Sequence, residues 1–459
     1  MKILYAVAEV DPLAKVGGLA DVAAALPARL HEMGHDIHVV MPCHESANAA
    51  FEAAPVRREV AVQFLGQDYL VEVATVRGEG GVPIDLVRDG RYFGRAEVYG
   101  EPDDLLRYQF FCRTVLEMLA AGPWTPDILH LNDWQTAPLS FALRGLAWRR
   151  PRFRAVASVF TIHNLRYRGP DDFNDYLCQA IYYSDQITTV SPTYAREVLT
   201  RELGEGLDRL LALRSDALTG VVNGLNFDVY NPRTDPNLAV QFDLSSLEVR
   251  PDNTAALRTE LGLEPASGPL VAMVTRLTEQ KGVDLAIQAA PGLLAAGAQL
   301  VVLGQGDEDL KSDLNALAAA HPRTIAAVQG FDEGLARRMY AGADMFLMPS
   351  RYEPCGLGQL IAMRYGCIPV GRKTGGLVDT ILDPAEHGDH ATGFLFDEFS
   401  SVALAGAFER AVRVFRDRPA WRHMQEAAMR RDHSWGASAA RYVEVYRAAL
   451  RSRGITPLE

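Results

Sequence analysis

The chain has no long apolar run, no paired cysteine spacing and no excess of positive charge. Each absence removes a class of function. No hydrophobic stretch reaches the roughly 20 residues that a bilayer-spanning helix needs, so a helical membrane protein is excluded and no membrane is expected as a partner. The N-terminal run Met1-Lys2-Ile3-Leu4-Tyr5-Ala6-Val7 is broken by Glu9 and Asp11, with no small-residue cleavage site behind it. It reads as a buried first strand rather than a secretory leader. The five cysteines (Cys43, Cys112, Cys178, Cys355, Cys367) are odd in number and lack CxxC spacing. That argues against a disulfide framework and a zinc site, and for a cytoplasmic location. Asp and Glu number 58 against 46 Lys and Arg, a formal net charge of −12. Such a surface repels phosphate backbones, so no nucleic acid is expected as a partner, although a local basic cleft stays open. Neither GxxxxGK[ST] nor GxGxxG follows the first strand, which argues against a P-loop enzyme and a nicotinamide dehydrogenase.

What is present is an ordinary globular composition over 459 residues, 48% hydrophobic and 23% charged, too long for one core. Short apolar, β-branched runs at 3–7, 37–41, 128–131, 155–160, 186–190 and 219–222 alternate with helix-like stretches at 19–33, 105–121 and 136–149. A second series follows, with strands at 270–275, 299–303, 325–328, 345–348 and 368–370. Continuous apolar strands between helices predict parallel sheets covered on both faces. Residues 59–87 alternate more and carry glycine turns, which predicts an antiparallel insertion. Residues 231–251 are Pro- and Asp-rich and predict a linker. The expected organisation is α/β, two doubly wound domains at 1–235 and 236–435. A C-terminal helix over 436–459 packs back on the first. The arginines of 404–450 read as a solvated helix face.

The unusual polar residues fall at strand ends. Lys15-Val16-Gly17-Gly18 follows the first strand and opens a helix. It reads either as a phosphate-binding turn or as a plain tight turn with a surface lysine. The same string recurs, degenerate, from Lys373 to Thr380. Arg276 and Lys281 follow the first strand of the second series, where two cations can clamp a diphosphate, or can be surface charges paired with Glu279. The string Ser350-Arg351-Tyr352-Glu353-Pro354-Cys355-Gly356-Leu357-Gly358-Gln359 closes another strand. There a carboxylate can hold sugar hydroxyls while turn amides hold phosphate; the alternative for Glu353 is a helix cap. Cys355 reads as a packed thiol rather than a nucleophile. His163-Asn164, Asn132-Asp133-Trp134 and Asn223-Gly224 also end strands. For these the alternatives are a satisfied histidine, a packed tryptophan and a turn. Two such edges facing each other make a cleft for a ligand with phosphates and hydroxyls.

Taken in order along the chain, these strings resemble the bacterial glycogen synthase and plant starch synthase family. The resemblance runs from Met1 to about Tyr446 and includes Val159-Phe160-Thr161-Ile162-His163-Asn164-Leu165 and Val190-Ser191-Pro192-Thr193. It implies the GT-B fold, two Rossmann-like domains across a deep cleft. It also implies retaining transfer of glucose from ADP-glucose to the non-reducing 4-hydroxyl of an α-1,4-glucan such as glycogen. No metal or other cofactor is implied, and a homo-oligomer is allowed. His163, Glu353, Arg276 and Lys281 take catalytic roles by resemblance. Lys15, Gly17, Gly18, Asn223, Phe331, Cys355, Gly356, Leu357 and Gly358 match donor-binding positions. Asp21, Asp133, Trp134, Phe93 and Arg95 lie on the acceptor side. Two departures stand out. The family often has histidine where this chain has Asn132, and the segment 169–182 is short for a loop near the acceptor path. Another donor, a small acceptor or a glucan-binding homologue without catalysis are the competing readings.

Overall fold

The computed structural model describes residues 1–169 and 175–456, and the chain divides into two compact units. Unit 1 is Met1–Gly224 together with the residues from Trp435 onward; unit 2 is Leu225–Ser434. The division therefore falls at Gly224 and Ser434 rather than at 235 and 435.

Among the described residues, unit 1 is built on nine strands: β1 (Lys2–Ala6), β2 (Asp36–Pro42), β3 (Val56–Phe64), β4 (Gln67–Arg77), β5 (Pro83–Arg88), β6 (Ile128–Asn132), β7 (Ala157–Ile162), β8 (Gln186–Thr189) and β9 (Leu218–Gly220). They lie in the order β3-β4-β5-β2-β1-β6-β7-β8-β9. β7 is buried along its whole length, as a central parallel strand covered on both faces must be. The expected antiparallel insertion is only half separate. β3 pairs antiparallel with β4 and β4 with β5, but β5 pairs parallel with β2 and belongs to the main sheet. The helix Trp435–Ser452 lays Trp435, Tyr442 and Tyr446 into the unit 1 core.

Unit 2 has six parallel strands: β10 (Leu270–Leu277), β11 (Gln299–Gly306), β12 (Ile325–Gln329), β13 (Met345–Met348), β14 (Ile368–Arg372) and β15 (Phe394–Phe396). Their order is β12-β11-β10-β13-β14-β15, the 3-2-1-4-5-6 order of a doubly wound sheet. β15 was not expected, being three residues long. Residues 231–251 are no linker. The Tyr365 hydroxyl donates to buried Asp235 at 2.6 Å, Phe242 and Leu247 join the unit 2 core, and buried Arg250 donates to Tyr365 O at 2.9 Å. Among the described residues, no helix is long and apolar enough to cross a membrane.

Candidate active site

Open α/β sheets bind ligands beyond the carboxyl ends of their strands, at the point where strand order reverses. Each unit has one such point, between β1 and β6 in unit 1 and between β10 and β13 in unit 2. The polar strings of the sequence lie at those two points.

In unit 1, β1 leads to Glu9, which is buried. Its Oε2 accepts the backbone N–H of Val16 at 2.5 Å and of Gly17 at 3.4 Å. Burial pushes the Glu9 carboxyl up to about 7, against those amides and the Tyr99 hydroxyl, which lower it. The Lys15 to Gly18 loop is thus braced from inside by a carboxylate that no motif announces. The amides expected to receive phosphate are partly engaged by it. Gly17 caps the helix Gly18–Glu32 in an extended conformation, and a Cβ there would meet nothing within 4 Å. Lys15 pairs with Asp21 at 2.6 Å and with Asp11 at 3.3 Å.

β6 and β7 supply the other side of this point. Asp133 sits at φ 55°, and its Oδ1 accepts the backbone N–H of His163 at 2.8 Å. Burial raises the Asp133 carboxyl to about 7, opposed by hydrogen bonds from the backbone of His163 and Asn164. Its structural work is to hold the end of β7. His163 Nε2 lies 3.0 Å from Asn132 Oδ1, and burial pushes its imidazole down to about 3, so the ring is neutral at physiological pH. Trp134 is buried edge-on against Tyr108. Phe93 is 1% exposed, packed between His44 and Phe111, and so belongs to the core rather than to an acceptor surface. Arg95 forks onto Asp103 and also approaches Glu101 at 3.6 Å. Asn223 is buried in unit 1, and its Oδ1 has no hydrogen-bond partner among the described residues. Of the short segment 169–182, residues 170–174 lie outside the described ones.

In unit 2, exposed Arg276 is the penultimate residue of β10, which leads to Lys281. Arg276 approaches Gln280 Oε1 at 3.5 Å. Lys281 Nζ bonds Glu353 Oε2 at 2.6 Å, and Ser350 Oγ donates to the same oxygen at 3.1 Å. Glu353 is 4% exposed. Its carboxylate is therefore matched to a cation rather than capping a helix. The turn behind it requires glycine. Gly375 has φ 43°, and a Cβ there would overlap Glu353 O. Gly356, at φ 76°, is wrapped by Gln359, whose amide donates to the carbonyls of Cys355 and Gly356 at 3.0 and 2.9 Å. Cys355 is buried, and Leu357 and Gly358 lead into the helix Gly358–Arg364. Phe331 stands beyond β12, 81% exposed. Among the described residues, no group of three or more His, Cys, Asp or Glu could hold a metal ion.

Two residues at the unit 1 point were given no role by the sequence. Asn132 stands in the strand-end string Asn132-Asp133-Trp134, where only Asp133 and Trp134 were assigned one. Glu9 could have been found as a lone carboxylate directly behind an apolar strand and ahead of two glycines.

Comparison with known proteins agrees along the whole chain. Residues 2–213 match the starch synthase catalytic domain, and residues 261–430 match glycosyl transferases group 1. A glycogen synthase of Syntrophotalea carbinolica is 42% identical, covering 98% of this chain and 99% of its own length. One from Geotalea daltonii is also 42% identical, covering 99% of this chain and 100% of its own length. The first alignment spans 487 positions, more than this chain has residues, so part of that relative has no counterpart here. The catalytic domain of starch synthase IV from Arabidopsis thaliana, bound to ADP and acarbose, superimposes with a TM-score of 0.88 at 34% identity, covering 98% of this chain and 99% of that one. A sucrose-phosphate synthase from Thermosynechococcus elongatus shares the fold, with a TM-score of 0.64 at 19% identity over 98% of this chain and 99% of its own. The two parallel-sheet α/β units are GT-B-like, and the chain belongs to the glycogen synthase family of glycosyltransferases.

Proposed function

We propose that the chain transfers glucose from ADP-glucose, with retention, to the non-reducing 4-hydroxyl of an α-1,4-glucan, in the cytoplasm. The observation that carries the reading is the Lys281–Glu353 pair at the switch point of unit 2, with Arg276 on the same strand end. A diphosphate leaving group develops negative charge, and fixed cations at that position stabilise it without reorganising water. Arg276 and Lys281 take this part, and Glu353 orients the hydroxyls of the transferred glucose. The ADP and acarbose of the starch synthase IV structure support an adenine nucleotide donor and a glucan-like acceptor. Phe331 offers an exposed ring for the base, and the turn Gly356 to Gly358 offers backbone amides.

A carboxylate nucleophile is the rival mechanism, and the observed partners count against both candidates. Asp133 is engaged by the amides of His163 and Asn164, while Glu353 is paired with Lys281 and Ser350. A same-face route, through an oxocarbenium-like state in which the leaving phosphate takes the acceptor proton, needs neither as nucleophile. Lys15 and Gly17 form the phosphate-binding loop of the unit 1 switch point, and Asp21 holds Lys15 in place.

Initial rates with glycogen and either ADP-glucose or UDP-glucose, in EDTA, test the reading. Faster glucose incorporation from ADP-glucose, unaffected by the chelator, supports it. Release of nucleoside diphosphate without incorporation would move the acceptor away from glycogen.

A further inference from the structure

We infer that Asn132 is a positioning residue that holds His163 as the tautomer protonated on Nε2, leaving Nδ1 to accept a hydrogen bond from a sugar hydroxyl. Ala6 O can only accept, so the Asn132 atom facing it at 3.0 Å is the amide nitrogen. Oδ1 therefore faces the opposite way. There it accepts the Tyr5 hydroxyl at 3.0 Å and lies 3.0 Å from His163 Nε2. An amide oxygen cannot donate, so the shared proton belongs to Nε2. Flipping the amide would set two acceptor oxygens against each other, Asn132 Oδ1 and Ala6 O, in a fully buried site. The backbone N–H of His163, fixed on Asp133 Oδ1, keeps the ring in reach of this partner.

A neutral imidazole has one N–H, so Nδ1 is left as an acceptor. Among the described residues no group donates to it. His130 also bears on the ring and is neutral. Its Nδ1 lies 2.8 Å from the Tyr446 hydroxyl and its Nε2 2.7 Å from Thr161 Oγ1. The opposite tautomer would present a donor at Nδ1 instead. Identifying a sugar hydroxyl as the partner rests on the proposed glucosyl transfer, whereas the tautomer does not.

Long-range proton–nitrogen correlation spectra of protein carrying labelled histidine, with His163→Asn to assign the resonance, read the tautomer directly. The expected result is an Nε2–H pattern for His163, unchanged from about pH 6 to about pH 8. Asn132→Leu should mix the two tautomers and lower kcat about tenfold, with KM for glycogen within about twofold. An Nδ1–H pattern in the unaltered protein would overturn the inference. So would an Asn132→Leu protein with an unchanged tautomer and unchanged kcat. Where that variant fails to fold, the spectrum of the unaltered protein decides alone. An Nε2–H pattern in a protein that transfers no glucose would support the tautomer while removing the proposed reaction.

Discussion

Glu9 and Asp133 are carboxylates held by backbone amides in places with little access to water, and their protonation is linked to folding. Both are raised to about 7 by burial. A group whose pKa is higher folded than unfolded binds its proton more tightly in the native state. Its stabilisation is complete below the unfolded value, 4.5 for Glu9, and is lost as pH rises through about 7. Glu9→Gln keeps an acceptor for the Val16 amide but cannot ionise. Thermal unfolding across pH should find this variant level with the unaltered protein near pH 5 and more stable than it near pH 8, by ~1–3 kcal/mol. Parallel curves at every pH would show that Glu9 does not titrate with folding. Lys281 gives a second prediction at this scale. Lys281→Ala should lower kcat by about 10²-fold or more, because one preorganised charge at a developing anion has about that effect. Activity within a few-fold of normal would remove the diphosphate clamp from the account.

Two glycine turns that look alike in sequence differ as elements. Lys15-Val16-Gly17-Gly18 and Lys373-Thr374-Gly375-Gly376 each join a strand to a helix, but Gly17 is extended while Gly375 lies at φ 43° against Glu353 O. They also follow non-equivalent strands, β1 in one unit and β14 in the other, so the echo is not a duplicated site. Gly17→Ala should keep its thermal midpoint, since nothing meets the added methyl, and should lose activity by blocking close approach of the donor. Gly375→Ala should lose stability by about 1–3 kcal/mol or more, since strain and overlap both oppose it. Measuring both midpoints and rates separates a glycine that serves a ligand from one that serves the fold. Most strands were legible because apolar, β-branched runs leave little choice of element. The three-residue β15 was not, and neither was the parallel pairing of β5, which depends on where β2 ends rather than on its own residues. Lys15, Arg276, Lys281 and Glu353 were legible because charged residues at strand ends stand out. Glu9 and Asn132 were not, since their roles come from partners between 7 and 127 residues away.

At the scale of the whole molecule, the chain leaves unit 1 at Gly224 and returns to it at Trp435. The returning helix is core rather than ornament. Tyr446 donates or accepts at His130 Nδ1, and Trp435, Tyr442 and Tyr446 lie in the same apolar cluster as β1 and β2. Tyr446→Phe leaves a buried imidazole nitrogen without its partner and should destabilise the protein by about 1–3 kcal/mol, read from chemical denaturation. A chain cut before Trp435 should lose the cooperative unfolding of unit 1 in calorimetry, and a calorimetric trace indistinguishable from that of the full chain would contradict that. The central claim is nonetheless chemical: a glucosyl transferase working on a glucan, with Lys281 as the proposed stabiliser of the leaving diphosphate. The most direct measurement compares incorporation of glucose into glycogen from ADP-glucose, in EDTA, by the unaltered protein and by Lys281→Ala. The account predicts steady chain elongation by the first and almost none by the second. Elongation by both, or by neither, would contradict it.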